Sequence, residues 1–304
     1  MAPNSTKHVP VMCDEVVHWL DPQPGQTLVD GTLGGAGHTL ALAQRVGPTG
    51  RVIALDRDPS AVERARGLLA AQPVTLVAAN YTDLPEVLAN LDCGSVDGIV
   101  LDLGLSSDQL ADATRGFSFD SPGPLDLRFD PTTGEPAADL VNRWSAEQLA
   151  NVIYQYGEER LSRRIARRIV ETRREHPIRT AAELAALVRR SVPRSRSGGI
   201  DPATRTFQAL RIAVNDELGS LERALDRLPA CLRPGGRLAV ISFHSLEDRR
   251  VKQAFRDDPR WEVLTRKPLR PAAEEVAANP RSRSAKLRVA ARRLADPSEH
   301  ASRQ

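Results

Sequence analysis

The chain has 304 residues, of which 41% are hydrophobic and 27% are charged, and its net charge is +3. A chain of this length and composition can bury a large core, which excludes a disordered chain, a collagen or a coiled coil as the whole structure. No apolar run approaches the ~20 residues of a membrane helix, and residues 1–7 lack the apolar stretch of a signal peptide. We therefore expect a cytoplasmic protein that does not enter a membrane.

Five short apolar runs are typical of buried parallel strands. They are Thr27–Asp30, Arg51–Asp56, Val74–Ala78, 98–104 and 237–243. Helix-length segments at 39–46 and 60–71 separate the first three runs, and Ser60 is a suitable N-cap for the second segment. This alternation of strands and helices predicts a doubly wound α/β sheet.

The region after the fourth run does not fit a simple α/β domain. No strand of this kind occurs between residues 104 and 237, which is too long for a single crossover connection. The stretch 137–192 instead has the periodicity of three helices, two of which begin with capping boxes. The boxes pair Ser145 with Gln148 and Thr180 with Glu183.

The last part of the chain returns to strand-like patterns. The runs 261–265 and 286–290 predict an antiparallel hairpin at the edge of the sheet, and the segment 268–280 between them resembles a loop. These patterns together predict a discontinuous α/β domain, a helical domain inserted into it and a disordered tail. The expected bounds are 1–110 with 206–295 for the α/β domain, 111–205 for the helical domain and 296–304 for the tail.

The small net charge conceals two basic regions. Residues 160–196 contain twelve arginines and three glutamates, and residues 249–304 contain fifteen basic and seven acidic residues. Positive regions of this kind suit a polyanion such as nucleic acid. When these regions are considered alone, a solvated helix face is the better explanation.

A glycine-rich turn, residues 30–38, joins the first strand to the following helix. It fits neither the dinucleotide fingerprint nor the P-loop pattern. Asp30 and Asp56 close the first two strands, and Asp56 is placed to bind ribose hydroxyls. S-adenosylmethionine suits this arrangement, because its cationic sulfonium and its lack of phosphate are compatible with nearby carboxylates. A turn needed only for packing would leave Asp56 unexplained.

Three residues after later strands are candidate catalytic residues: Asp102, Ser106 and His244. A carboxylate such as Asp102 can accept hydrogen bonds from the exocyclic amine of a base and hold its nitrogen for methyl transfer, without a metal. The absence of a GxSxG elbow argues against a Ser-His-Asp hydrolase. We interpret His244 as a binding or orienting group, and a structural role is the alternative.

Two strings on either side of the three predicted helices contain candidate substrate-binding residues. They are Arg115, Phe117, Asp126, Arg128, Arg205 and Gln208. Phe117, together with Phe119 and Phe207, could stack on a flipped base, and the arginines could bind phosphates. The alternative is an interdomain core with solvated arginines.

Nine collinear strings resemble the bacterial 16S ribosomal RNA (cytosine-N4) methyltransferases, the RsmH or MraW family. The strings are HVPVMCDEV, DGTLGGAGHT, ALDRDP, VLDLGLSS, RGFSF…GPLDLR, YGEER, ATRTFQALRIAVNDEL, PGGRLAVISFHSLEDR and NPRSRSAKLRVA. The resemblance implies a class I S-adenosylmethionine-dependent methyltransferase fold (Rossmann-like) with a helical insert. It also implies S-adenosylmethionine as the methyl donor and a decoding-centre cytidine of 16S rRNA, within the small ribosomal subunit, as the acceptor. No metal is implied, and a homodimer is left open.

The resemblance also implies a set of donor-binding residues. They are Gly35, Ala36, Gly37 and His38 in the turn, Asp56, Tyr81 beside the adenine, Asp102 and Gln109. Relatives often have Phe where this chain has Tyr81, and an Arg-Gly pair where it has Gly35-Ala36. The Asp-Pro-Pro-Tyr motif of many amino-methylating enzymes is absent, so the resemblance does not fix the catalytic group.

Two other functions remain open from the sequence. One is a DNA amino-methyltransferase, which methyl incorporation into duplex DNA would distinguish from an RNA enzyme. The other is a non-catalytic ribosome assembly factor, which would bind subunits without methyl transfer.

Overall fold

The structure, a computed structural model, describes residues 10–119, 122–193 and 201–294. These residues form two compact units. The sheet unit contains the described residues up to Leu105 and from Gly219 onward, and the helical unit contains those between Ser106 and Leu218. The expected domain bounds stay a prediction, and the expected tail lies outside the described residues. No helix in the described part of the chain is long and apolar enough to cross a membrane.

The sheet unit is built on a sheet with seven described strands. They are β1 (Thr27–Asp30), β2 (Arg51–Asp56), β3 (Val74–Ala78), β4 (Val96–Asp102), β5 (Leu232–Ser242), β6 (Trp261–Val263) and β7 (Lys286–Arg292). Their order is β3-β2-β1-β4-β5-β7-β6, and β7 is antiparallel to both of its neighbours. The predicted doubly wound α/β fold with an antiparallel edge hairpin is therefore confirmed. The direction of the strand order changes between β1 and β4, where open α/β sheets bind their ligands.

Helices of the sheet unit pack on both faces of this sheet. In chain order the helices are α1 (Cys13–Leu20), α2 (Gly37–Val46), α3 (Pro59–Leu69), α4 (Leu84–Asn90), α5 (Ser107–Ala111), α6 (Ala137–Arg143), α7 (Ala146–Gly157), α8 (Ser162–Glu175), α9 (Ala181–Ser191), α10 (Ala203–Asn215), α11 (Glu217–Cys231), α12 (Ser245–Asp257) and α13 (Ala273–Ala278). Successive residues of a strand point to opposite faces. Leu28 and Val52 accordingly pack with residues of α1 and α2, whereas Val29 and Ile53 pack with residues of α4, α11 and α12.

The helical unit contains α5 to α10. The three helices predicted within residues 137–192 correspond to α7, α8 and α9, and the structure adds a fourth, α6, at the start of this stretch. Both predicted capping boxes are present. Ser145 Oγ accepts from the backbone N–H of Gln148 at 3.1 Å, and Thr180 Oγ1 accepts from that of Glu183 at 3.2 Å. These bonds satisfy amide groups that the first turn of a helix otherwise leaves unpaired, which is why both helices begin where the sequence indicates.

Three local predictions need correction. Asp58 caps α3, because its Oδ1 accepts from the N–H of Ser60 at 3.0 Å, so Ser60 is not the N-cap. β5 begins at Leu232, five residues before the predicted start, because Leu232 already pairs with β4. The segment 268–280 contains the helix α13 and is not only a loop.

Candidate active site

The turn between β1 and α2 has an unusual backbone conformation. Gly34 and Ala36 both have a positive φ, of 48° and 65°. A residue with a side chain, such as Ala36, pays a conformational cost of roughly 1 kcal/mol or more in this region, and such residues cluster at functional sites. Gly37 begins α2, and a Cβ added there would lie 2.8 Å from the ring of Pro10. The turn is thus tightly packed on that side.

Asp30, at the end of β1, holds this turn in place. Its carboxylate is fully buried, and its Oδ2 accepts from Thr39 Oγ1 at 2.7 Å. Its Oδ1 accepts from the backbone N–H of Thr32 at 3.1 Å. We expected Asp30 among the cofactor-binding residues, but in the structure its side chain faces the interior and supports the turn.

Asp56, at the end of β2, is half-buried and binds the turn directly. Its Oδ2 accepts from the N–H of Gly34 at 2.8 Å, and its Oδ1 accepts from the N–H of Asp58 at 2.8 Å. Burial raises the pKa of Asp56 to about 6, although the two backbone N–H groups oppose this shift. Each oxygen has acceptor capacity left for a further hydrogen bond.

Tyr81 follows β3 and is half-buried. It opens a short 3-10 turn, Tyr81–Asp83, which Asn80 caps by accepting from the N–H of Thr82 at 3.1 Å. A Cβ added to Gly31 would lie 3.1 Å from the Cβ of Tyr81, so the aromatic residue lies beside the end of β1. The structure therefore brings Tyr81 to the same edge of the sheet as the glycine-rich turn.

Asp102 closes β4, the neighbour of β1 in the sheet. Its side chain is 16% exposed, and its Oδ1 accepts from the N–H of Gly104 at 3.2 Å. Its backbone N–H donates to Thr32 Oγ1 at 2.7 Å, which ties the end of β4 to the glycine-rich turn. Burial raises the pKa of Asp102 above its ordinary value, while the neighbouring His38 and the Gly104 N–H oppose the shift.

His38 links the N-terminal segment of the described chain to Asp102. Its ring is buried, and its Nε2 lies 2.9 Å from the backbone carbonyl oxygen of Val11. Because a carbonyl only accepts, Nε2 carries a proton, and Nδ1 is the basic nitrogen of the neutral ring. Nδ1 lies 3.8 Å from Asp102 Oδ2. A proton on His38 Nδ1 or on Asp102 Oδ2 would make the contact between these two atoms attractive.

His244 lies directly after β5 and caps α12. Its Nδ1 accepts from the N–H of Glu247 at 3.4 Å, and its side chain is only 10% exposed. Its Nε2 lies 3.0 Å from Glu247 Oε1, without the alignment of a hydrogen bond. The preceding Phe243 contacts the segment after β4, since a Cβ on Gly104 would lie 2.6 Å from its ring. The structure therefore gives His244 a capping role beside the segment that follows Asp102.

Ser106 and Gln109 belong to the helical unit, where they form the capping box of α5. Ser106 Oγ accepts from the N–H of Gln109 at 3.1 Å, and Gln109 Oε1 accepts from the N–H of Ser106 at 3.0 Å. Both residues are buried. Their polar atoms thus satisfy the first turn of α5, a pairing that the sequence analysis did not include.

Arg115 and Phe117 lie inside the helical unit. The buried guanidinium of Arg115 donates to the backbone carbonyls of Arg128 and Phe129, the former at 3.1 Å. Phe117 is 6% exposed and stacks on Phe129, with 5.7 Å between the ring centroids. Phe207 is also buried. In the structure these groups pack the interior of the helical unit. The alternative of an interdomain core with solvated arginines is therefore wrong for Arg115, which is buried.

Asp126 and Arg128 form a bidentate ion pair. Arg128 Nε lies 2.9 Å from Asp126 Oδ1, and its Nη2 lies 2.8 Å from Oδ2. The hydrogen bonds to Asp126 raise the pKa of Arg128. Asn215, which sequence reasoning missed, joins this segment to α10 because its Nδ2 donates to the carbonyl of Leu127 at 2.7 Å.

Arg205 and Gln208 lie on α10. The side chain of Arg205 is 51% exposed, and its Nη1 lies 3.6 Å from Glu159 Oε2. Gln208 Nε2 donates to the carbonyl of Tyr156 at 2.9 Å. Among the six candidate substrate-binding residues, Arg205 is the one whose side chain is most open to a ligand.

The structure adds two polar residues to the candidate site, Thr32 and Thr39. The Thr39 hydroxyl donates to the carboxylate of Asp30, and the Thr32 hydroxyl accepts from the backbone N–H of Asp102. The sequence signal that could have found both residues is their place in the DGTLGGAGHT string. Nothing in the spacing of this string indicates which strand end each hydroxyl contacts.

The sheet order, with its antiparallel β7, and the glycine-rich turn between strand-end carboxylates match the class of Rossmann-like methyltransferases that use S-adenosylmethionine. Comparison with known proteins identifies the particular family. The model of the MraW methylase family matches residues 5–293, and the chain belongs to this family. The resemblance found in the sequence is therefore confirmed.

Similar proteins from three bacteria carry the same name, Ribosomal RNA small subunit methyltransferase H. The protein of Rhodopirellula baltica is 54% identical over 298 residues, which cover 94% of this chain and 92% of that protein. The protein of Thermomicrobium roseum is 51% identical, with 95% of each chain covered. The protein of Deinococcus deserti is 52% identical, with 94% of this chain and 93% of that protein covered.

Proposed function

We propose that this methyltransferase transfers a methyl group to the exocyclic N4 amine of a cytidine in the decoding centre of 16S rRNA, within the small ribosomal subunit. The observation that carries the proposal is the 54% identity, over nearly the whole chain, to a protein named Ribosomal RNA small subunit methyltransferase H. The choice of cytidine N4 rests on the nine strings that resemble the cytosine-N4 enzymes. The bacterial ribosome as substrate supports a cytoplasmic location.

The residues at the carboxyl ends of β1, β2 and β4 fit S-adenosylmethionine. When bound, this donor supplies an electrophilic methyl group on a cationic sulfur. Asp56 is half-buried, and each of its oxygens has capacity to accept from a ribose hydroxyl while Gly34 and Asp58 hold the carboxylate in place. Tyr81 offers a flat apolar surface for the adenine. The glycine-rich turn contains no arginine or lysine that could bind a phosphate, and S-adenosylmethionine has no phosphate.

Asp102 is our candidate for holding the acceptor amine. The lone pair of an exocyclic base amine is delocalised into the ring, so the amine is a poor nucleophile. A carboxylate that accepts a hydrogen bond from its N–H orients the nitrogen and increases its electron density as the new N–C bond forms. The side chain of Asp102 is partly exposed, and the Gly104 N–H fixes its orientation.

Methyl transfer to the amine releases one proton from the nitrogen. A carboxyl with a raised pKa accepts a proton more readily than an ordinary one, and burial raises the pKa of Asp102. His38 Nδ1, 3.8 Å from Asp102 Oδ2, is a second basic atom at this position. We therefore assign proton acceptance to Asp102, with His38 as the group that orients and stabilises its carboxyl.

Mass spectrometry of small-subunit RNA from cells that lack this protein tests the proposal. We expect one N4-methylcytidine in the decoding centre to disappear, and the wild-type gene to restore it. Persistence of the mark would contradict the proposal. With purified protein, methyl incorporation into duplex DNA in place of subunits would favour a DNA enzyme, and subunit binding without transfer would favour an assembly factor. Light scattering of the same protein distinguishes a monomer from the homodimer.

A further inference from the structure

The helix α8 has one buried face and one arginine-rich exposed face. Ile165, Ala166 and Ile169 are fully buried, whereas the arginines of the opposite face are exposed. The exposed arginines are Arg163, Arg164, Arg167, Arg168 and Arg174. The helix thus presents a dense row of cations to its surroundings, and the distribution of acids along that face distinguishes its two edges.

One edge is free of acids. Arg163, Arg167 and Arg174 are four and seven residues apart, which places them on one side of the exposed face. We call these three residues the arginine stripe. None of their side chains has a hydrogen bond or an ion pair with another part of the described chain.

The other edge, which we call the mixed edge, combines Arg164 and Arg168 with Glu171 and Glu175. Arg168 Nη1 lies 3.4 Å from Glu171 Oε2. Interleaved charges of this kind are typical of a helix face that is simply solvated. Glu171 lies four residues from Arg167 and three from Arg174, but it pairs with Arg168. The three arginines of the stripe therefore have no acidic partner in the described chain, and they remain available to an external anion.

The surroundings of the stripe remain positive. Arg173, the neighbour of Arg174, turns inward and donates from Nη1 to the carbonyl of Val141 at 2.6 Å. Its pKa is lowered, first by burial and then by the charge of Arg174. Arg174, whose side chain is exposed, therefore supplies the guanidinium that a phosphate at this end of α8 would meet.

An exposed aromatic residue lies on the helix that packs beside α8. Tyr154, on α7, is 61% exposed, although most large apolar and aromatic side chains of the described residues are buried. Unstacked RNA bases stack on aromatic side chains of this kind, next to arginines that hold the backbone. An exposed aromatic ring in the helical unit suits an unstacked base, so we take RNA rather than an acidic protein surface as the partner.

We infer that the arginine stripe of α8, Arg163, Arg167 and Arg174, binds phosphates of the ribosomal RNA and docks the enzyme on its substrate. The inference rests on the proposed function, since it assigns a surface to the same substrate. A guanidinium group can bind two phosphate oxygens at once. Each such contact releases counterions from the RNA, so binding becomes weaker as the salt concentration rises.

The test compares two sets of substitutions on one helix in the full-length protein. The stripe variant is R163Q/R167Q/R174Q, and the matched control is R164Q/R168Q on the mixed edge. Glutamine is nearly as good a helix former as arginine, so both variants should keep α8. The substrate is small ribosomal subunits isolated from cells that lack this protein, and KM and kcat are measured between low and high KCl concentration.

For the stripe variant we expect KM to rise about tenfold or more at low salt while kcat stays unchanged. The slope of log KM against log salt should fall by about 2 to 3, since three phosphate contacts are lost. The control should stay within about twofold of the wild type in KM. If the stripe variant loses helicity by circular dichroism, R163K/R167K/R174K tests the same surface, because it keeps the charges and should retain most of the salt slope.

The outcomes separate this inference from the proposed function. If the stripe variant and the control have equal KM and equal salt slopes, the inference is wrong although the enzyme methylates subunits. If the stripe variant binds protein-free 16S rRNA as the wild type does but binds intact subunits weakly, the partner is a ribosomal protein and the inference is also wrong. If the wild type transfers no methyl group to subunits, the proposed function fails first.

Discussion

Asp30, Asp56 and Asp102 each close a strand, yet their surroundings give the three carboxylates different properties. Asp30 is fully buried and has hydroxyl and amide partners, so it supports the turn. Asp56 and Asp102 are only partly buried, and each is fixed by backbone N–H groups while keeping acceptor capacity. The sequence predicted the position of all three at the strand ends. It did not predict which one is enclosed, because that depends on Thr39 reaching back from α2.

The pKa of Asp56, about 6, makes donor binding dependent on pH. Only the ionised carboxylate accepts hydrogen bonds at both oxygens, and the pKa is raised, so the ionised form dominates above pH 6 and disappears below it. We expect the affinity for S-adenosylmethionine to be constant above about pH 7 and to fall about tenfold for each pH unit below 6. Isothermal titration calorimetry measures this profile. The Asp56→Asn variant is the control, which should bind weakly with no such inflection; an identical profile in both proteins would show that another group titrates.

Replacing Asp102 tests its role as the acceptor of the amine hydrogen bond. The Asp102→Ala variant should lose methyl transfer to small subunits by at least about 10²-fold, since it removes both the orienting acceptor and the proton acceptor. The Asp102→Asn variant keeps the side-chain volume and an oxygen for the Gly104 N–H, so it separates the loss of charge from the loss of packing. Single-turnover methylation with a radioactive donor measures both. A wild-type rate in Asp102→Ala would rule out this assignment.

At the scale of elements, periodicity and capping patterns in the sequence account for most of the fold. β1, β2 and β3 lie at the predicted residues, and the capping boxes of α7 and α9 are as predicted. These local patterns were insufficient where a contact between residues far apart in the sequence determines the structure. β5 extends back to Leu232 because β4 pairs with it there, and His244 caps α12 although histidine is not a preferred N-cap residue.

The candidate substrate-binding strings show the same limit. The spacing of RGFSF…GPLDLR marked a specialised segment, but it did not distinguish a ligand contact from an internal one. In the structure, Arg115 bonds to backbone carbonyls and Arg128 bonds to Asp126. These partners lie 2 to 14 residues away in a loop whose path depends on two positive φ angles, at Gly116 and Leu127.

Gly116 offers a test of this loop. It has a φ of 68°, and an added Cβ would overlap the backbone carbonyl oxygen of Pro124. Gly134 has a φ of 72° but open space around an added Cβ. We expect Gly134→Ala to lower the free energy of unfolding by about 1 kcal/mol, from the backbone conformation alone, and Gly116→Ala to lower it by about 3 kcal/mol. Urea denaturation followed by circular dichroism measures both, and equal losses would contradict the packing described for this loop.

For the whole molecule, the important point is how function divides between the two compact units. Asp56, Tyr81 and Asp102 all belong to the sheet unit, and the arginine stripe belongs to the helical unit. The three residues proposed for the donor and the acceptor amine, and the stripe proposed to dock the RNA, therefore lie in different compact units. The net charge does not distinguish the two units, because residues 106–218 contain 17 basic and 16 acidic residues. The feature that distinguishes the helical unit is the local arrangement of arginines on α8.

This division predicts how the donor affects unfolding. A ligand that binds only the folded protein stabilises it by about 2.7 kcal/mol at a concentration of 100 Kd, which corresponds to about 5 to 10 °C in Tm for a unit of this size. Trp19 and Trp261 lie in the sheet unit, whereas Trp144 is the only tryptophan of the helical unit. In a Trp144→Phe background, tryptophan fluorescence therefore reports the sheet unit alone. We expect S-adenosylmethionine to raise the Tm seen by this signal, and Asp56→Ala to remove most of the increase at the same donor concentration. An unchanged Tm at donor concentrations that saturate the protein in calorimetry would show that the donor does not bind through the sheet unit.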